Sequence, residues 1–427
     1  MKADLVVIGG GLAALTAARS LQQSGRQVTL VWPGLTSLYF CFPSLDVLGY
    51  RDGGAAQPVE EPLSALPGLI ADHPDHAYAR AGLPTLQAAV RLLLAFLRDC
   101  GMVWEGSLSR NLLLPTALGI PKPTCIAPAS MTHGDLRRLD PIVLGGFDGY
   151  QDFTPELAAG NLGRLWPRGA SRLHTVRVAL PGIEAGRLFT SIDLARWMQA
   201  DGFRGEVARR VREAVRALAG DEPGLRLGVP AVLGLDQPEA TYAAFEAEVG
   251  RPIFEIPTIP PSVAALRVFD RLRRHLQRTG VELISGVPVH RAELQDGRCK
   301  QVWLKSPGAE RPLEARAFVL ALEDRVDGAV RAGPLVDRDP FFGAVLAQYR
   351  DPRERAAESL LEAQPFNSVG LEVTPRLQPA GLDGAPLANN VFLAGGLMRG
   401  YDPAATKSRG GQSIATAYRA AQEALAA

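Results

Sequence analysis

The sequence predicts an α/β chain: a Rossmann-type nucleotide-binding domain with an inserted cap or partner-binding domain. Three observations predict it. A short apolar run, Asp4-Leu5-Val6-Val7-Ile8, leads straight into Gly9-Gly10-Gly11 and a helical pattern. A second apolar run, Val391 to Ala394, leads into Gly395-Gly396, and Gly410-Gly411 precedes a last helical stretch. The long stretch between these ends carries its own helix and strand signals, and 427 residues suit two or three domains of roughly 150 each.

The elements follow in order. The first helical pattern runs from Leu12 to Gln23 and Gly25 stops it, after which Val28 to Val31 reads as a second strand. Residues 33–84 are rich in Gly, Pro and Asp and read mainly as loop. Residues 85–99 read as helix, and 107–146 as loop and short strand. Leu188 to Ala200 and Gly205 to Leu218 read as helices, Leu225 to Leu233 as strand and Thr241 to Val249 as helix. Prolines 257, 260 and 261 mark a boundary, and Ser262 is the expected N-cap of a helix through Arg278, closed by Gly280. A strand at 281–285 precedes two extended runs around Asp296-Gly297, a hairpin signal because both turn positions favour positive φ. Residues 316–322 are an apolar strand, 331–385 return to loop, and Gly411 to Ala426 is helical.

The chemistry lies in the glycines. In Gly9-x-Gly11-x-x-Ala14, Gly9 permits the tight turn and Gly11 lets a pyrophosphate approach backbone N–H groups. Ala14 keeps helix and strand close. Gly10, Leu12 and Ala13 complete the turn, and the helix N-terminus offers unpaired donors to an anion. The fingerprint predicts an FAD/NAD(P)-type domain and argues for FAD. A ribose-binding Asp or Glu is expected at the end of the second strand, but Trp32 stands there, followed by Pro33. Either the ribose is held differently, or the cofactor is a mononucleotide. Gly395, Gly396, Gly410 and Gly411 form the second half-site, where backbone can approach a flat ring. Arg399, Lys407 and Arg409 flank it and are candidate anion or flavin contacts, with Tyr401-Asp402-Pro403 in the same loop. No residue signals itself as catalytic.

Composition excludes other classes. A formal net charge of +1 gives no electrostatic case for nucleic acid. Cys41, Cys100, Cys125 and Cys299 form no C-x-x-C, so no metal or iron–sulfur site is expected and free thiols in a reducing cytoplasm are. The N-terminus shows no separate signal-peptide regions, and no apolar run reaches membrane-spanning length. His73 and His76 in a proline-broken DHPDH read as solvated loop, and Arg204, Arg209, Arg210, Arg212 and Arg216 as an exposed helix face beside Glu206 and Glu213.

The segments VVIGGGLAAL (6–15), SLYFCFPSLDVLGY (37–50), VLGGFDGYQDF (143–153), FTSIDLARWM (189–198), PAVLGL (230–235), IPTIPPSVAALR (256–267) and NVFLAGGLMRGYDP (390–403) together resemble the B subunits of anaerobic glycerol-3-phosphate dehydrogenase. The resemblance covers most of the chain. It implies a flavoprotein, usually described as binding FMN, inside a three-protein complex. There a catalytic A subunit oxidises sn-glycerol 3-phosphate to dihydroxyacetone phosphate, and an iron–sulfur C subunit associates with the membrane and passes electrons toward quinone. The chain would be cytoplasmic, or held at the inner face of the cytoplasmic membrane by a partner. It departs from the family after the strand at 317–321. Leu322-Glu323-Asp324 replaces Ser-Gly and an aromatic turn, and carboxylates beside a flavin raise the cost of its reduced anion.

The expected flavin domain comprises 1–60, 255–330 and 385–427, with 61–254 and 331–384 as cap or partner-binding domain. The expected function is electron relay through the flavin of a glycerol-3-phosphate:quinone oxidoreductase. Two alternatives stand beside it: a stand-alone flavin oxidoreductase on another small substrate, and a non-catalytic docking subunit that has lost flavin.

Overall fold

The computed structural model describes residues 1–34, 36–51, 57–184, 186–306, 308–322, 330–359, 362, 364–381, 383–399 and 402–427. The chain opens with β1 (Lys2–Ile8), α1 (Leu12–Gln22) and β2 (Val28–Trp32). Three helices follow, α2 (Pro62–Asp72), α3 (Ala77–Ala81) and α4 (Leu83–Asp99). Next come β3 (Ile142–Phe147), α5 (Pro155–Leu165), β4 (Leu173–Val178), α6 (Ser191–Trp197), α7 (Asp201–Ala219), β5 (Arg226–Pro230), α8 (Pro238–Val249), β6 (Ile253–Ile256) and α9 (Val263–Arg278). The last part holds β7 (Glu282–Ser285), β8 (Val289–Gln295), β9 (Arg298–Ser306), β10 (Ala309–Leu320), β11 (Val391–Leu393) and α10 (Arg409–Ala426). The chain divides into two compact units, residues 1–38, 46–102 and 270–427, and residues 39–45 and 103–269.

Unit 1 is built on a seven-stranded sheet in the order β7-β2-β1-β10-β9-β8, with β11 also on β10. β7, β2, β1, β10 and β11 run parallel. Leu5, Val6, Val7 and Ile8 are all buried, as expected for a strand covered on both faces. β10 is twelve residues long because it has two tasks. Its first half pairs antiparallel with β9, and its second half lies between β1 and β11. The Asp296-Gly297 turn forms as expected, with φ of 52° and 71°, the two-residue form whose twist matches a hairpin.

α1 packs against α10, and its alanines bring it close to its neighbours, with Ala13, Ala14, Ala17 and Ala18 all buried. α2 and α3 lie where the sequence reads as loop. Pro62 occupies the first helical position, where its missing N–H costs nothing, while Pro67 within α2 hides a face made by Leu66 and Leu69. α4 buries Leu86, Leu93, Phe96 and Leu97 and packs on α10, so residues 61–102 fall in unit 1, as do 331–384. The sequence reading assigned both stretches to the second domain.

Unit 2 has its own parallel sheet, β6-β5-β3-β4. Its core includes Phe147, Leu162, Val207, Val211, Phe245 and Phe254. α5 and β4 were not legible as periodic segments. α6 starts later than the expected 188 because Thr190 and Asp193 close a capping box there, and it ends at Trp197 rather than 200. Ser262 stands at the start of α9, but its hydroxyl has no partner and makes no cap. Glu255 and Arg267 form a buried ion pair at 2.8 Å.

Candidate functional site

The first half-site grows from the end of β1. Gly9 donates its N–H to Val31 O (2.8 Å) and has φ of +135°. A Cβ there would lie 2.1 Å from the Ala321 carbonyl oxygen, so only glycine fits. The same Cβ would stand 3.4 Å from the Ala14 methyl, the close strand–helix approach expected of that alanine. Gly10 O accepts from the buried Thr36 hydroxyl at 2.7 Å. Gly11 is the extended N-cap residue of α1 and has no side chain of its own to cap that helix. Leu12, Ala13 and Ala14 supply the first-turn backbone.

Trp32 ends β2, and the adjacent wall of the turn is its ring. A Cβ on Gly10 would sit 3.1 Å from Trp32 Cγ and Cδ1. Trp32 is buried, so the position where an acid would grip a ribose is an apolar surface packed on the glycine turn.

The second half-site is joined to the first through the end of β10. Ala321 N donates to Ile8 O (2.8 Å), and Ala394 N donates to Leu320 O (2.9 Å). The carboxyl ends of β1, β10 and β11 therefore share one sheet edge. Gly395 has φ of +75° and donates to the Thr416 hydroxyl of α10 at 2.9 Å. Gly396 is exposed in the following turn. Thr416 lies at this edge, and Gln422, further along α10, reaches Ser20 near the end of α1 (3.4 Å). α1 and α10 thus run parallel, and their positive N-terminal ends lie at the same edge.

α10 starts after Ser408, with Arg409 and Gly410 in its first turn. Gly411 is buried there, donating to Asp46 O at 2.8 Å, and a Cβ on it would come within 2.1 Å of the Tyr78 hydroxyl oxygen. Arg399 is exposed and paired with Glu372 at 3.2 Å, and Lys407 is exposed with φ of +50°. Tyr401, Glu323 and Asp324 lie outside the described residues.

A polar cluster under this turn was missed in the sequence. His73 is exposed, but His76 is fully buried and caps α3, its Nδ1 accepting from Tyr78 N at 3.0 Å. Burial, helped by His73, holds its pKa down to about 3. Gln412 lies 3.3 Å from His76 Nε2 and 2.8 Å from Ser408 Oγ, and Ser408 Oγ lies 2.8 Å from Thr406 Oγ1. The signal available was Ala77-Tyr78 following His76, but Pro74 concealed the short helix.

The remaining candidates are structural. Arg209 pairs with Glu206 and Glu213, Arg210 with Glu206, and Arg204 with Asp201 and Glu248. None of the four cysteines is in a disulfide, and burial pushes the Cys100 thiol up to about 11 and Cys299 to about 12. Among the described residues no cluster of three His, Cys, Asp or Glu could hold a metal, and no helix is long and apolar enough to cross a membrane.

Two glycine turns and two helix N-termini at one parallel edge form a cradle suited to a nucleotide pyrophosphate. The class follows from the family match: residues 4–412 fit the FAD binding domain family, so this is a flavoprotein of the oxidoreductase class, with FAD as its cofactor. More narrowly, the chain belongs to the family of anaerobic glycerol-3-phosphate dehydrogenase B subunits. It is 32% identical over 430 residues to the probable B subunit of Halobacterium salinarum, covering 98% of this chain and 97% of the relative. It is 30% identical over 435 residues to the B subunit of Yersinia pestis (99% and 98% covered), and 30% over 440 to that of Pectobacterium carotovorum (100% and 99%).

Proposed function

We propose that the chain is the electron-relaying flavoprotein subunit of a glycerol-3-phosphate:quinone oxidoreductase complex. The observation that carries the reading is the pair of half-sites joined through Leu320-Ala321, in a chain whose relatives are named B subunits of this dehydrogenase. Gly9, Gly10, Gly11 and the first turn of α1 would hold the pyrophosphate. Gly395, Gly396, Gly410 and Gly411 would let backbone approach the ring, and Trp32 would cover the adenosine side without a carboxylate. Arg399, Lys407 and Arg409 are the cations proposed to lie near the flavin. The bound flavin supplies two-electron and one-electron chemistry. The chain's own part is to hold it, and the N-terminal end of α10 favours negative charge nearby.

Partners follow from the same reading. A catalytic A subunit would take sn-glycerol 3-phosphate to dihydroxyacetone phosphate. An iron–sulfur C subunit would accept the electrons, pass them toward quinone and hold the chain at the inner face of the cytoplasmic membrane. Unit 2 is the proposed partner-binding body. At the carboxyl edge of its sheet is a recess of about 360 Å³ lined by residues including Tyr150, Gln151, Arg177 and Arg187.

The test is an absorption spectrum and mass identification of the released cofactor, followed by mixing with the A and C subunits. The reading expects a yellow protein releasing FAD, reduced by sn-glycerol 3-phosphate only when the A subunit is present. Reduction of the isolated chain by another small substrate would mark a stand-alone oxidoreductase. A colourless chain that takes up neither FAD nor FMN would mark a docking subunit.

A further inference from the structure

His76 is a buried polar residue that the flavin cradle does not itself use. Its ring nitrogens can be told apart. Nδ1 lies 3.0 Å from the Tyr78 backbone N–H, which can only donate, so Nδ1 carries no proton. The neutral ring then carries its proton on Nε2, which faces the Gln412 side-chain amide at 3.3 Å. A donor there calls for the amide oxygen of Gln412, and the O and N of an amide are assigned by such partners. With the oxygen so placed, the Ser408 hydroxyl 2.8 Å away donates to it as well, and Thr406 Oγ1, at 2.8 Å, donates to Ser408. His76, Gln412, Ser408 and Thr406 are all buried. Tyr78 ties in the neighbouring loop, donating to Val47 O at 2.6 Å.

These residues converge on the first turn of α10. Ser408 is its N-cap residue and Gln412 lies one turn on, on either side of Gly410 and Gly411. A buried, directional network fixes one arrangement, because each lost partner leaves a desolvated polar group. We propose that His76 is a positioning residue, setting through Gln412 and Ser408 the place of the α10 first turn against the flavin. This rests on the flavin reading above. His76 touches no reacting atom; it acts through the helix.

The test compares wild type with H76N, Q412L and the double variant in the full chain. Asn at 76 keeps an acceptor for the Tyr78 N–H but loses the reach to Gln412. Circular dichroism and thermal melting check the fold. Flavin dissociation constant and midpoint potential are the readouts that a mere cap on α3 would not move. The expected result is about tenfold weaker flavin binding and a shifted potential in H76N, matching the loss of a buried hydrogen bond. Q412L should do the same, and the double variant should add little, since both break one link. H76Q, whose amide can stand in for Nε2–H, should restore part of the affinity. If H76N melts lower yet binds flavin with wild-type affinity and potential, His76 is only a helix cap and the proposal is overturned. If wild type binds no flavin, the proposal and the flavin reading fall together. Should H76N fail to fold, Q412L and S408A carry the same comparison.

Discussion

Single residues divide into those the sequence announced and those it hid. Gly9 was announced, because a glycine directly after an apolar strand has few other reasons to be there. The geometry sharpens the reason, since its φ of +135° and an Ala321 carbonyl oxygen 2.1 Å from where a Cβ would stand exclude any side chain. Gly9→Ala should destabilise unit 1 by roughly 1–3 kcal/mol from backbone strain alone, and should abolish flavin retention. Denaturant unfolding and the absorbance of the purified variant check both. His76 was hidden, because two histidines, two aspartates and a proline in five residues are the composition of an exposed loop. Its burial has a pH consequence. An ordinary histidine protonates near 6.5, whereas folded His76 stays neutral down to about 3. Between those values the unfolded chain binds the extra proton, so folding stability falls as pH falls, by up to about 1.4 kcal/mol per pH unit. The contribution is fully present above 6.5. Urea unfolding at pH 7 and pH 5 should show a smaller acid loss in H76N than in wild type; equal losses would remove His76 as the cause.

Among the elements, legibility followed local chemistry. The β8–β9 hairpin was readable because two residues, Asp296 and Gly297, decide it. α1 and α10 were readable because glycines precede them and alanines line them. α2, α5 and β4 were not. Proline interrupts the first, the second buries Pro155, Ala158 and Leu162 at helical spacing but exposes Leu157 and Leu165 and carries Gly160 and Gly163, and the last has a mixed burial pattern. The Glu255–Arg267 pair joins β6 to α9 and could not be foreseen, since acid and base stand in different elements. Both side chains are buried, and Glu255 also accepts from Ser130 Oγ and Leu233 N. Arg267 Nη2 already lacks a partner. Glu255→Ala therefore leaves a buried guanidinium without its counter-ion and should cost unit 2 about 3–5 kcal/mol. Glu206→Ala, on the solvent side of α7, should leave the unfolding midpoint in the same assay close to wild type, because solvent-screened ion pairs are worth little.

For the whole molecule, the sequence reading and the two compact units divide the chain at different places. The long-range choice of α4 to pack on α10 has no local signature, and neither has the β6-β5-β3-β4 order of the second sheet. The two bodies differ in what should stabilise them. Both glycine half-sites and the α1 and α10 N-termini belong to unit 1, whereas the Glu255–Arg267 pair and the Phe147, Phe245 and Phe254 core belong to unit 2. A ligand stabilises only the body that binds it, and at a hundredfold excess over its dissociation constant it contributes about 2.7 kcal/mol. Calorimetry of the flavin-free chain with and without added FAD should therefore raise the transition assigned to unit 1. Glu255→Ala should lower the transition assigned to unit 2, and its flavin affinity should match wild type. FAD that raised only the transition that Glu255→Ala lowers would move the cofactor out of the glycine cradle and into the second body. A shift with FMN equal to that with FAD would instead show that the adenosine side, where Trp32 takes the place of an acid, contributes nothing to binding.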